Sequence, residues 1–404
     1  MGRCRGTRAH RRHSLGGAVP SRTGAGRALL AGDAAAQSGD RPGAVGFAVT
    51  AVHQVVPVMP AIDAVTSDVL TLRARLRERG LDSEVFVLER LPGQDVHLLD
   101  RLLEGPAPAA VLFHYAIASP ATRRLAGSRL PLVLLDHNTT PAGYYWLIDR
   151  AHYDVCRAAR TEIALLRERA ALALGRSEFT RRELVALGFR RTGVLPILLE
   201  PEGYLGHRPG AGAASRGGGG TVILTVGRVA PNKRVDDAIR VLHAYRRGVD
   251  PGARLWVVGD YARLPVYRAG LDRVMGRLNE DGVVFTGRVD AGTLRECYAT
   301  ASVYLSMSEH EGFNVPLVEA MLSDLPVVAR NAGAAGDTLG DAGLLIDGRD
   351  PCLVAEAVAR LTADPVLREQ QVERGRRRAA ELSPDRAVER LLRDMVAAGL
   401  ELGP

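Results

Sequence analysis

An α/β architecture with two doubly wound parallel sheets is what this sequence predicts, and three observations predict it. Short apolar runs alternate with amphipathic helical stretches from residue 44 onward; a glycine-rich stretch without apolar periodicity interrupts them at 206–220; after it the same rhythm restarts. With 404 residues, 46% hydrophobic and 25% charged, the chain is long enough for two substantial domains.

In the first half AVGFAVTAVHQVV (44–56) reads as a strand ahead of the helix-like DVLTLRARLRERG (68–80), and SEVFVL (83–88), AAVLFHY (109–115) and LPLVLLDHN (130–138) read as further strands. A long helical stretch from about 144 to 170 leads to ALALGRSEF (171–179), a helix TRRELVALG (180–188) closed by Gly188, and a strand TGVLPI (192–197). Beyond the linker, TVILTVG (221–227), ARLWVVG (253–259), GVVFTG (282–287), ASVYLSMS (301–308), LPVVAR (325–330) and GLLID (343–347) read as strands with helices between them. The stretches 351–363, 365–381 and 385–402 read as helices. The expected division is a disordered basic tail at 1–41, a first domain at 42–205, a linker at 206–220, a second domain at 221–384 and a C-terminal helix at 385–404 that crosses back to the first domain. Two such halves place a ligand in the cleft between them, at the carboxyl ends of the strands.

Charge narrows the partners. The net charge is +7, but eight Arg and two Asp in residues 1–41 hold nearly all of it, leaving the body near neutral and without a basic, aromatic-interleaved stripe for nucleic acid. Cys4, Cys156, Cys297 and Cys352 lie far apart with neither metal-ligand spacing nor a pairing pattern, which fits a reducing compartment. No apolar run reaches the length of a membrane span, and the Arg-rich start lacks the apolar core of a signal peptide, so a cytoplasmic protein is expected. Contact with the inner face of a plasma membrane stays open: the helix at 68–80 carries Arg73, Arg75, Arg77 and Arg79, although a solvated helix face is the simpler reading.

Chemistry concentrates in two strand-to-helix junctions. Gly227-Arg228-Val229-Ala230-Pro231-Asn232-Lys233-Arg234 follows a strand and precedes a helix beginning near Val235. Glycine there lets backbone approach a ligand, and the free N–H groups of the following helix favour an anion. Arg228 and Lys233 add cations. The spacing is not that of a Walker A loop, because no Gly-Lys-Ser/Thr follows. Lys233 is the sole lysine among 53 basic residues, which suggests a position that wants a compact ammonium rather than a planar fork. The second junction is Ser308-Glu309-His310-Glu311-Gly312-Phe313-Asn314-Val315-Pro316-Leu317-Val318-Glu319, where Pro316 suits a first helical turn. Glu311 and Glu319 are carboxylates suited to vicinal diols, flanking backbone amides at Gly312, Phe313 and Asn314. Glu309 reads as a solvated loop charge. Diol, anion and diol describe a nucleotide sugar.

These two motifs resemble the family-4 retaining glycosyltransferases (glycosyl transferases group 1) of the GT-B fold, two Rossmann-like domains facing a central cleft; the resemblance runs from about residue 45 to the C-terminus. It implies that Arg228 and Lys233 hold the donor diphosphate, Glu311 the donor sugar, Glu319 the ribose, Gly227 and Phe313–Val315 the sugar and phosphate through backbone, and backbone near Arg288 and Val289 the base. His137, ending VLLDHN, matches the family's histidine near the donor hexose; His114 ends the preceding strand and is a second candidate for the same cleft; Asp63, in the loop after the first strand, is an acceptor-side candidate. Two departures stand out: Asn314 occupies a position where the family often has a small residue, and the loop 61–65 lacks the family's glycines.

The implied reaction needs neither cofactor nor metal, because Arg228, Lys233 and helix amides stabilise the leaving phosphate and that phosphate takes the acceptor's proton. The acceptor is expected to be a glycan, a lipid-linked or a small molecule, and runs such as DHNTTPAGYYW resemble a subset that builds cell-surface polysaccharide. A sugar-nucleotide epimerase and a non-catalytic sugar-nucleotide-binding subunit are the alternatives. The pyridoxal-dependent phosphorylase branch of the same fold is excluded, since the single lysine sits in the phosphate loop.

Overall fold

A computed structural model describes residues 50–60, 64–204 and 219–403. The basic tail, the opening of the first expected strand, the candidate Asp63 and nearly all of the linker therefore lie outside the described residues.

In the first half β1 (Val52–Val55), β2 (Val85–Val87), β3 (His97–Leu98), β4 (Ala110–Tyr115), β5 (Leu132–Asp136), β6 (Ala170–Gly175) and β7 (Thr192–Val194) form a seven-stranded sheet of order β3-β2-β1-β4-β5-β6-β7. In the second, β8 (Val222–Val226), β9 (Arg254–Val258), β10 (Val283–Gly287), β11 (Val303–Ser306), β12 (Val327–Arg330) and β13 (Leu344–Ile346) form a six-stranded sheet of order β10-β9-β8-β11-β12-β13. Neighbouring strands pair in parallel throughout both sheets. A parallel sheet covered on both faces requires apolar residues at successive positions, and β4 and β5 are buried along their whole length. Each strand order reverses once, between β1 and β4 and between β8 and β11, and such a reversal leaves an open crevice beyond the carboxyl ends. This is the GT-B architecture.

The covering helices are α1 (Ala64–Glu78), α2 (Leu99–Glu104), α3 (Pro120–Gly127), α4 (Arg150–Glu162), α5 (Glu178–Ala186), α6 (Val235–Gly248), α7 (Pro265–Leu278), α8 (Ala291–Thr300), α9 (Val315–Leu322), α10 (Ala335–Leu339), α11 (Pro351–Ala363), α12 (Pro365–Glu381) and α13 (Pro384–Ala397). The last of these buries Val388, Leu391 and Met395 against Leu72, Leu76 and Leu174, so it packs on the first half.

Several readings need correction. The helical stretch expected from 144 to 170 is broken: a 3-10 turn covers Ala142–Tyr145, Asp149 caps α4 by accepting from the His152 amide at 2.9 Å, and Ala170 already belongs to β6. The short β3, α2 and α3 gave no readable period in so few residues. The arginines of α1 do not form a free cationic face, because Arg73 pairs with Asp95, Arg75 with Glu200, Arg77 with Glu84 and Arg79 with Asp385. Among the described residues no helix is long and apolar enough to cross a membrane.

Candidate active site

The loop after β8 is shaped by glycine. Gly227 has φ +135°, and the Lys233 side chain folds back until its Cε and Nζ lie 3.4 Å from where a Cβ on Gly227 would stand. A 3-10 turn at Pro231–Lys233 and a left-handed Arg234 (φ 51°) then start α6. Asn232 stitches this loop to the one after β11: its amide donates to the His310 carbonyl at 3.1 Å, and its own carbonyl accepts from the Glu309 N–H at 2.8 Å. Across that junction Lys233 Nζ meets Glu311 Oε1 at 2.5 Å, with both side chains largely covered. The sole ammonium and the first candidate diol reader thus sit together, at the β8/β11 reversal.

The β11 loop explains Asn314. Its φ is +76°, in the left-handed region where glycine is at ease and asparagine is the best-tolerated alternative, and its side-chain amide donates to Ser306 Oγ at 3.2 Å. Asparagine meets that backbone requirement here, and α9 opens directly after it with Pro316 in its first turn. Glu319, one turn on, is buried, and each of its oxygens accepts from a tyrosine at 2.6 Å: Oε1 from Tyr204 and Oε2 from Tyr298. Burial raises its pKa, and the two phenol donors oppose that shift without cancelling it. Each oxygen keeps a lone pair for a further donor. Glu309 is not the solvated charge expected of it: Arg330 holds it at 3.1 Å and Arg234 lies 3.6 Å away. Arg228 is exposed and hydrogen-bonds the Tyr145 hydroxyl of the first half. Arg288 and Val289 follow the carboxyl end of β10, two strands from β8; Arg288 is exposed and Val289 packs on the core.

The first half meets this site at His137. Gly312 lies so close that a Cβ there would stand 2.7 Å from the His137 carbonyl oxygen and 2.6 Å from Asn138 Cβ, and Thr180 Oγ1 donates to the Gly312 carbonyl at 3.1 Å. Lys233, Glu311, Gly312 and His137 therefore gather at one seam. His114 does not line it. It is wholly buried, with its Nδ1 at 3.1 Å from His137 Nε2 and its Nε2 at 2.9 Å from Gln54 Oε1.

Behind the two histidines stands a buried ion pair that the sequence did not announce. Arg176, at the end of β6, directs Nη2 at Asp68 Oδ2 of α1 and lies 2.8 Å from His137 Nε2. Both members of the pair are wholly buried, and Asp68 Oδ1 also accepts from the Leu198 N–H at 2.8 Å. Asp68, His114 and His137 are close enough to share a metal ion, but the guanidinium already stands among them. Burial and the neighbouring guanidinium hold both histidines well below their usual pKa, so both are neutral. The sequence shows an arginine directly after the apolar run ALALG but nothing that points to Asp68 as its partner.

Residues 220–364 match the model of the family described as glycosyl transferases group 1. This half is similar to a glycosyl transferases group 1 domain. The chain resembles the D-inositol 3-phosphate glycosyltransferase of Acidothermus cellulolyticus, 32% identical over 186 residues, 43% of this chain and 40% of that protein. It also resembles a GDP-mannose-dependent alpha-(1-6)-phosphatidylinositol monomannoside mannosyltransferase of Mycolicibacterium smegmatis, 29% identical over 262 residues, 59% of this chain and 66% of that protein. The match to the first of these spans about two-fifths of its length. In fold, sucrose-phosphate synthase from Thermosynechococcus elongatus superposes with a TM-score of 0.68 at 19% identity, over 86% of this chain and 100% of the other. Anabaena HepE in complex with UDP-glucose gives 0.64 at 17% identity, over 86% and 99%. The segment that matches group 1 thus lies in one half of a GT-B fold.

Proposed function

We propose that the protein is a retaining glycosyltransferase that moves a hexose from a nucleoside-diphosphate sugar to a glycan, lipid-linked or small-molecule acceptor in the synthesis of cell-surface polysaccharide or glycoconjugate. The observation that carries this reading is the Lys233–Glu311 pair, which joins a phosphate-type cation to a diol-type carboxylate at the switch point of the second sheet. The sugar-nucleotide chemistry named for the mannosyltransferase relatives supports it.

On this reading the diphosphate lies over Gly227 and against the amides that open α9, Lys233 turns from Glu311 toward the phosphates, and Glu311 is released to accept from sugar hydroxyls. Glu319 accepts from the ribose diol, and His137 faces the hexose. The bond between the anomeric carbon and the phosphate oxygen breaks, the acceptor oxygen bonds to the same face of that carbon, and its proton passes to the departing phosphate. Arg228, Lys233 and the helix amides stabilise the growing negative charge, in place of a metal.

The test is a thermal-shift and turnover panel of UDP-, GDP-, ADP- and dTDP-sugars with and without EDTA, on wild type and Lys233→Ala. At least one nucleotide sugar should stabilise the wild type and be turned over with EDTA present, and Lys233→Ala should weaken the stabilisation and lower turnover about 10²- to 10³-fold. No stabilisation by any of the four, or an unaffected variant, ends the proposal; product with an altered hexose configuration points to an epimerase.

A further inference from the structure

We propose that Arg176 is a positioning residue that locks His137 as the Nδ1–H tautomer, so that His137 meets its ligand as a permanent hydrogen-bond donor and never as a base.

A chain of fixed donors and acceptors leads from Gln54 to His137. Gln54 Nε2 donates to the Val69 carbonyl at 3.2 Å, which turns Gln54 Oε1 toward His114 Nε2 at 2.9 Å. An amide oxygen only accepts, so the His114 proton is on Nε2 and its Nδ1 carries a lone pair. That lone pair faces Arg176 Nη2 at 3.3 Å. The same guanidinium nitrogen lies 2.8 Å from His137 Nε2. A guanidinium has hydrogens and no lone pair to offer: one Nη2 hydrogen goes to Asp68, and the other is shared between His114 Nδ1 and His137 Nε2, two bare nitrogens 3.1 Å apart that converge on it, which places the single proton of His137 on Nδ1. Asp68 holds Arg176 in place with its Oδ2.

His137 Nδ1 is buried and has no hydrogen-bond partner among the described residues. A buried N–H without an acceptor is unfavourable, and it selects for a ligand that brings one. Resting on the proposed function, that acceptor is a hydroxyl oxygen of the donor hexose. The charged and titratable groups around His137 are Asp68 of α1, His114 of β4, Asp136 at the end of β5 and Arg176 directly after β6. Further out, Glu183 binds the neighbouring Asn138, and His310 and Glu311 flank the Gly312 that packs on His137. The guanidinium stands nearest and opposes protonation of the ring.

Long-range proton–nitrogen NMR of the full chain labelled with ¹⁵N-histidine, with His137→Gln assigning the signal, reads the tautomer directly. Expected is a protonated Nδ1 and a bare Nε2, unchanged from about pH 5.5 to 8, although a free histidine titrates near 6.5. A proton on Nε2, or titration in that range, overturns the proposal whether or not the protein transfers sugar. The second measurement is the affinity ratio of GDP-mannose to GDP, and of UDP-glucose to UDP, in wild type and in Asp68→Asn/Arg176→Met, which removes both buried charges together. In wild type the ratio for the bound donor is flat with pH. In the variant it falls about tenfold at pH 8, the worth of one hydrogen bond, and recovers toward pH 5.5 as protonation restores a hydrogen to Nδ1. A loss equal at all pH values overturns the positioning role. Should the variant not fold, the wild-type spectrum decides alone; should no sugar nucleotide bind, the proposed function fails and the spectrum still decides the tautomer.

Discussion

The two sides of the seam hold their charges in opposite ways. On the second half Lys233 and Glu311 pair at the mouth of the crevice, each keeping some solvent contact, with side chains 16% and 10% exposed. On the first half Arg176 and Asp68 pair at zero exposure, with two neutral histidines beside them. A pair at a mouth can exchange partners when a phosphate and a diol arrive. A wholly buried pair cannot, because parting it leaves a desolvated charge on each side. On the proposed function, one half carries the charges that act on a ligand, and the other the charges that hold the His137 ring.

The largest expected effect breaks the buried side. Arg176→Met, leaving Asp68 unpaired at zero exposure, should lower folding stability by about 3 to 5 kcal/mol in chemical denaturation. On the proposed function Lys233→Ala should do the reverse: a much smaller loss of stability, with turnover reduced by about 10²- to 10³-fold in initial-rate assays, because a cation at the leaving phosphate would be lost. If Lys233→Ala unfolds the protein, or Arg176→Met leaves stability intact, the contrast between the halves is wrong.

Asp136, at the end of β5, sharpens it further. Burial pushes its carboxyl up to about 7, against an acceptor bond from the Asn138 N–H that works the other way. The folded state thus keeps a proton that the unfolded chain loses near pH 3.9, and ionising Asp136 erodes stability as pH rises between those values. Asp136→Asn should be indistinguishable from wild type in denaturation midpoint at about pH 4 and more stable by roughly 2 to 4 kcal/mol at pH 8. The smallest effect is expected at Glu319: Tyr204→Phe removes one of its two phenol donors and should lower stability by about 1 kcal/mol, read from the same denaturation curves.

What the sequence disclosed follows the same division. Gly227, Lys233, Glu311 and Glu319 are legible because each motif is continuous along the chain and sits where an apolar strand gives way to a helix, so local order fixes which groups share a loop. The parallel sheets were legible from their apolar runs. The Arg176–Asp68 pair joins residues 108 apart, and Tyr204 reaches Glu319 across 115; nothing local announces either partner. His114 was misplaced for a related reason: ending a strand at the crevice does not say whether the ring turns to the crevice or into the sheet.

A lone lysine has one more consequence. A protease that cuts only after lysine has a single bond to attack in this sequence, that following Lys233, and an amine-directed label has a single side chain to find. Its ammonium is sheltered by Glu311 and folded over Gly227, so the rate of that one cut, or that one label, reports when the loop lets go. The protein carries its own built-in reporter on whether the crevice is open, empty or filled.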